Sequence, residues 1–146
     1  MFFLYKFMSE ALTEAYKCKQ SGDIPVGCVI VKDGNIIARA HNTRERDKNP
    51  LGHAEINAIY NAAKHVGDWR LSGCDLYVTL EPCTMCAGAI LSSRIENVFF
   101  GAFDKKEGAA GSHTNLLYPN VNVYGGIMIE ECVRLLDTFF KHLRSN

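Results

Sequence analysis

The chain has 146 residues, 47 % of them hydrophobic and 22 % charged, with 16 basic and 16 acidic side chains and a formal net charge of zero. That length suits one domain with a core of its own, and the neutral balance argues against broad electrostatic capture of nucleic acid, which shows as a basic surplus. No apolar run reaches membrane-spanning length and no signal peptide is visible, so the six cysteines are expected in a reducing cytoplasm, as ligands or small core residues rather than as a disulfide framework.

Residues 3–20 predict a helix, because Phe3, Phe7, Met8, Ala11, Leu12, Ala15 and Tyr16 recur at helical spacing before Ser21-Gly22-Asp23 ends the pattern. Residues 26–32 and 36–41 predict two strands joined by the turn Asp33-Gly34-Asn35, a hairpin signal. The polar stretch 42–52 reads as a loop, and a helix follows over 53–65. Residues 75–80 read as a short buried strand. Glu81-Pro82 then opens a helix to about residue 93, and 97–101 make another buried strand. Residues 103–122 are irregular, broken by Gly108, Gly111 and Pro119. The last helix spans 130–143, with Val133, Leu136, Phe139, Phe140 and Leu143 on its apolar face. Helices alternating with apolar strands, with no repeat or linker, predict an α/β layer fold around one sheet.

Two short pieces carry chemistry: His53-Ala54-Glu55 and Pro82-Cys83-Thr84-Met85-Cys86. Each lies at a predicted helix start. Cysteines three apart on a first helical turn share a face, and Pro82 suits the helix entrance. The helix dipole there favours thiolate over thiol. Two thiolates and one imidazole form a three-ligand zinc set, which leaves one coordination position open, the mark of a catalytic rather than a structural site. Glu55, two residues beyond the histidine, faces that position without binding the metal. It is the expected catalytic proton carrier: it takes a proton from the attacking water, passes it to a ring nitrogen and protonates the leaving amine. The reaction so predicted is hydrolytic removal of an amino group from a heteroaromatic ring.

The alternatives are a thioredoxin-like redox pair, against which the upstream His-x-Glu speaks, and a structural zinc closed by Cys74 or His113. Cys18, Cys28, Cys74 and Cys132 otherwise read as small buried hydrophobes. His65 and His142 are expected on helix surfaces.

With these motifs in hand, nearly the whole chain resembles the bacterial tRNA-specific adenosine deaminases, within the cytidine-deaminase-like superfamily. The likeness is carried by Ile24-Pro25-Val26-Gly27, Asn42-Thr43-Arg44-Glu45, Leu76-Tyr77-Val78-Thr79-Leu80-Glu81-Pro82-Cys83 and Cys86-Ala87-Gly88-Ala89-Ile90. More specific marks are Gly101-Ala102, Asp104, Gly108-Ala109-Ala110-Gly111-Ser112 and Phe139-Phe140. The resemblance implies a single zinc-dependent deaminase domain over residues 1–146. It implies a three-layer αβα sandwich with a five-stranded mixed sheet, one Zn²⁺ per subunit and a homodimer. The implied reaction converts the wobble adenosine of a tRNA anticodon loop to inosine. Asn42 is then expected on the purine, with Val26 and Ala54 at the base pocket, and Asp104, Phe140 and Lys141 along the RNA. The rival reading is a deaminase of a free base or nucleoside such as guanine, cytosine or a purine analogue. A zinc-holding scaffold without catalysis is a third, against which Glu55 speaks.

A local basic rim for phosphates is available from Arg44, Arg46, Lys48, Lys105, Lys106, Lys141 and Arg144, although Glu45, Asp47, Asp104 and Glu107 are interleaved. The chain departs from the family's wording at Gly52, where alanine is usual, and at Phe103, where arginine is usual. The stretch between Ser112 and Gly126 is shorter, without the family's Asn-His pair; His113 is out of register. A shortened fifth strand is expected there.

Overall fold

The structure, a computed structural model, describes residues 2–145. Its centre is one five-stranded sheet in the order β2-β1-β3-β4-β5. The Asp33-Gly34 turn joins β1 (Gly27–Lys32) to β2 (Asn35–His41) as the expected antiparallel hairpin; both turn residues have positive φ. β3 (Cys74–Leu80) pairs antiparallel with β1 and parallel with β4 (Asn97–Ala102), which makes the sheet mixed. β5 (Asn122–Tyr124) is three residues long and parallel to β4, the shortened strand expected.

Alternation along the strands builds two cores, one on each face. Cys28, Ile30, Leu76, Val78, Val98 and Phe100 point to one side, against α3 (Ala54–Val66) and α4 (Thr84–Ser92). Val29, Val31 and Tyr77 point to the other, against α1 (Phe2–Tyr16) and α5 (Ile129–Ser145). The result is the three-layer αβα sandwich with a five-stranded mixed sheet. Tyr77, Phe99 and Tyr124 stack across β3, β4 and β5 with centroids 4.5 and 5.0 Å apart, fastening the short edge strand.

Several details differ from the sequence expectation. The first helix ends as a 3₁₀ turn over Lys17–Gln20, and its buried stripe is Phe7, Met8, Ala11, Leu12 and Ala15. Phe3 and Tyr16 are exposed, because only that stripe meets the sheet. The loop over 42–52 contains a single helical turn, α2 (Arg44–Asp47). In α5 only Cys132 is fully buried, while Val133, Phe140 and Leu143 are exposed; the helix rests chiefly on β4 and presents a narrower face than its apolar residues suggest. All six cysteines are free.

Candidate metal centre and base pocket

Two helix starts meet at one end of the sheet. His53 is the residue before α3 and Cys83 the residue before α4, both with extended backbone, and Cys86 lies in the first turn of α4. His53 Nδ1 is 3.5 Å from the sulfurs of both Cys83 and Cys86. All three donor atoms lie within 4.8 Å of one another. A tetrahedral zinc with ordinary Zn–N and Zn–S bonds separates such a nitrogen and sulfur by about 3.5 Å, so the donor set fits the ion. Among the described residues this is the one group of potential ligands of that kind. Cys74 begins β3, seven residues long, at the end remote from Leu80, so about 20 Å of strand separates it from the centre. His113 lies in the loop after Gly111 and does not join the ligand set. A closed four-ligand site through either residue is therefore not formed.

Hydrogen bonding within the group divides the protons. The Cys83 thiol is drawn down to about 4, first by its hydrogen bond with Cys86 and next by that with His53. Cys86 is pushed up by the same bond and by burial. The imidazole of His53 is raised, chiefly by its bond with Cys83. The lowering at Cys83 favours the thiolate form that metal binding requires. Glu55, in the first turn of α3, is 4 % exposed, and burial pushes its carboxyl up to about 7. A carboxyl in that range can both take and give a proton near neutrality.

These residues open on a pocket of about 460 Å³ that also includes Val26, Asn42, Arg44, Ala54, Glu81 and Asp104. The structure therefore brings together eight of the ten residues expected at the site, with Cys86 buried just behind the pocket wall. Asn42 is held rigidly: its side-chain N–H donates to the Ile24 carbonyl at 3.1 Å and its Oδ1 accepts from the Arg44 backbone N–H at 3.0 Å. Asp104 uses Oδ1 to accept from the backbone N–H groups of Lys106 and Glu107, each at 3.1 Å. Phe140 and Lys141 are not at the pocket. Both lie on α5, where Phe140 meets Phe139 edge to face at 5.2 Å and Lys141 borders a separate surface groove with Val133 and Asp137.

Two buried carboxylates that the sequence reading passed over shape the pocket walls. Asp23 accepts from the backbone N–H groups of Glu45 and Arg46, capping α2 beside Arg44. Glu81 accepts from the loop between β4 and β5. Neither has a spacing signature, since the partners are brought in by the tertiary path. Asp23 lies in the segment between the first helix and β1, and Glu81 directly follows β3. Phe103, at the position where arginine is usual, packs edge to face on Phe100 at 5.0 Å.

Comparison with known proteins places these features. Residues 3–102 match the cytidine and deoxycytidylate deaminase zinc-binding region. The tRNA-specific adenosine deaminase of Bacillus subtilis (strain 168) is 49 % identical over 143 residues, covering 94 % of this chain and 89 % of that protein. A structure from work on A-to-I editing by tRNA:A34 deaminases at the wobble position superposes with a TM-score of 0.83. It is 40 % identical, over 90 % of this chain and 99 % of the other. A guanine deaminase from Bacillus subtilis is 41 % identical with a TM-score of 0.65, over 73 % and 69 % of the two chains.

Proposed function

The chain belongs to the cytidine and deoxycytidylate deaminase zinc-binding family, among its tRNA-specific adenosine deaminases, and from that premise we propose that it converts the wobble adenosine of a tRNA anticodon to inosine. The net change is adenosine plus water giving inosine plus ammonia. The observation that carries this reading is the convergence of His53, Cys83, Cys86 and the buried Glu55 on one base-sized pocket.

His53 Nδ1 and the two sulfurs would hold one zinc ion, which when bound would supply a water acidic enough to act as nucleophile near neutral pH. Glu55 moves the protons, by the route general to zinc deaminases: it takes one from the water that attacks C6 and delivers it to ring N1, then takes the second from the hydroxyl now on C6 and delivers it to the departing amine. Its burial supports this role by keeping its proton affinity near that of the solution. Asn42 has a second amide hydrogen beyond the one bound to Ile24, and offers it to the purine. Val26 and Ala54 wall the base, and Asp104 stands at the mouth. The base reaches the pocket by leaving the stack of its loop, which single-stranded RNA permits at low cost. Phe140 and Lys141, away from the pocket, are assigned to the RNA beyond the target base.

The same proposal makes the chain one domain acting as a homodimer in the cytoplasm. Sedimentation should then report twice the 16.3 kDa chain mass. Six free thiols suit a reducing compartment. Among the described residues no helix is long and apolar enough to cross a membrane.

Purified protein incubated with total tRNA should produce inosine at the wobble position. Reaction with free guanine or cytosine, and none with tRNA, would support the second reading, a free-base deaminase, which the likeness to a guanine deaminase keeps in view.

A further inference from the structure

The loop between β4 and β5 has little regular structure, yet its first half has a defined shape against the metal-ligand segment. Gly108 and Cys83 form an isolated antiparallel bridge, and the Ala109 N–H donates to the Pro82 carbonyl at 2.8 Å. The rest of the attachment is made by Glu81, which is 2 % exposed. Its Oε1 accepts from the Asp104 backbone N–H at 3.0 Å and from the Ser112 hydroxyl at 2.5 Å. Its Oε2 accepts from the backbone N–H groups of Ala110 at 3.1 Å and Ser112 at 3.0 Å. No ion pair among the described residues involves it. One carboxylate therefore fastens both ends of the 104–112 segment. Gly108 lies so near that a Cβ there would run into the Glu81 carboxyl carbon and the Asp104 carbonyl. Through Asp104 and Glu107 this segment forms one wall of the base pocket, with Val26 and Asn42 among the residues around it.

We propose that Glu81 is a positioning residue for the polynucleotide substrate: its carboxylate clasps the 104–112 loop to the metal-ligand segment and so fixes the mouth through which an RNA-borne base enters. The proposal rests on the RNA reading above. Glu81 touches no reacting atom in that scheme. A carboxylate is suited to the task because it only accepts, and four donors converge on its two oxygens. Glutamine at this position keeps the size but turns one acceptor into an N–H₂ group facing two donors, which leaves backbone N–H groups without a partner.

The test compares wild type, Glu81→Gln and Ser112→Ala on an anticodon stem–loop RNA, with zinc content and amide hydrogen exchange measured on the same samples. Glu81→Gln should raise KM about tenfold and Ser112→Ala about threefold, the loss of one or a few hydrogen bonds, with kcat changed less than threefold. Zinc should stay at one per chain, and exchange at Asp104, Ala110 and Ser112 should quicken. Unchanged KM and exchange in Glu81→Gln overturns the clasp. So does loss of zinc and kcat at constant KM, which would make Glu81 a support of the ligands instead. If Glu81→Gln does not fold, Ser112→Ala decides by the same two readouts. A wild-type protein inactive on the stem–loop overturns the RNA reading alone, since the exchange measurement still reports the clasp.

Discussion

Glu55 and the three ligand residues share one pocket but answer to different requirements, and substitution separates them. Glu55 holds no metal in this arrangement. Glu55→Ala should therefore lower kcat by at least about 10²-fold, the scale of general acid–base catalysis, while zinc measured by elemental analysis stays at one per chain. Loss of zinc in that variant would contradict the division of roles. Cys83→Ala removes a ligand and should lose both metal and turnover; zinc at the wild-type level would sink the ligand assignment. These residues were legible in the sequence because metal chemistry demands particular side chains at short fixed spacings. Glu81 and Asp23 were not, because a buried carboxylate that accepts backbone N–H groups is defined by partners far along the chain: Glu81 and Ser112 are brought together only by the fold.

At the scale of elements, close approach of α1 to the sheet decides the packing. Gly27 opens β1, and a Cβ there would run into the Ala11 carbonyl oxygen and the Ala15 backbone nitrogen of α1. Backbone on both sides leaves little room to yield. Gly27→Ala should then destabilise by about 1–3 kcal/mol, the usual cost of overpacking. Urea unfolding should show a lower midpoint with an unchanged slope. A midpoint equal to wild type would mean that α1 moves away freely. Strand positions were legible from alternation and from the Asp33-Gly34 turn, since both are local. The inward faces of α1 and α5 were less so. Periodicity marks apolar residues, but which of them meet the sheet depends on where the helix crosses it. Phe3, Tyr16 and Leu143 consequently lie exposed while Cys132, beside Gly101, is buried.

At the scale of the molecule, a chain with no net charge must hold a polyanion through a few local contacts. Part of its basic complement is already engaged, with five of the sixteen basic side chains in ion pairs among the described residues. Arg39 pairs with Glu10 and Glu14, Arg46 with Asp47, and Arg70 with Asp68. Near the pocket, Arg44 lies within 3.7 Å of Glu45, both well exposed, and among the described residues Lys105 and Lys106 enter no ion pair. Those three cations, together with Lys141 on α5, are placed to meet about four phosphates of the RNA. Each such contact contributes about −0.7 to the slope of log affinity against log salt, so binding of an anticodon stem–loop should fall with a slope of about −3. The doubly substituted Lys105→Ala, Lys106→Ala protein should flatten that slope by about one unit while leaving zinc content unchanged. A steep slope of about −6 would mean that further cations of the chain also reach phosphates. A flat response would remove the phosphate contacts altogether and turn the same zinc pocket toward a free base.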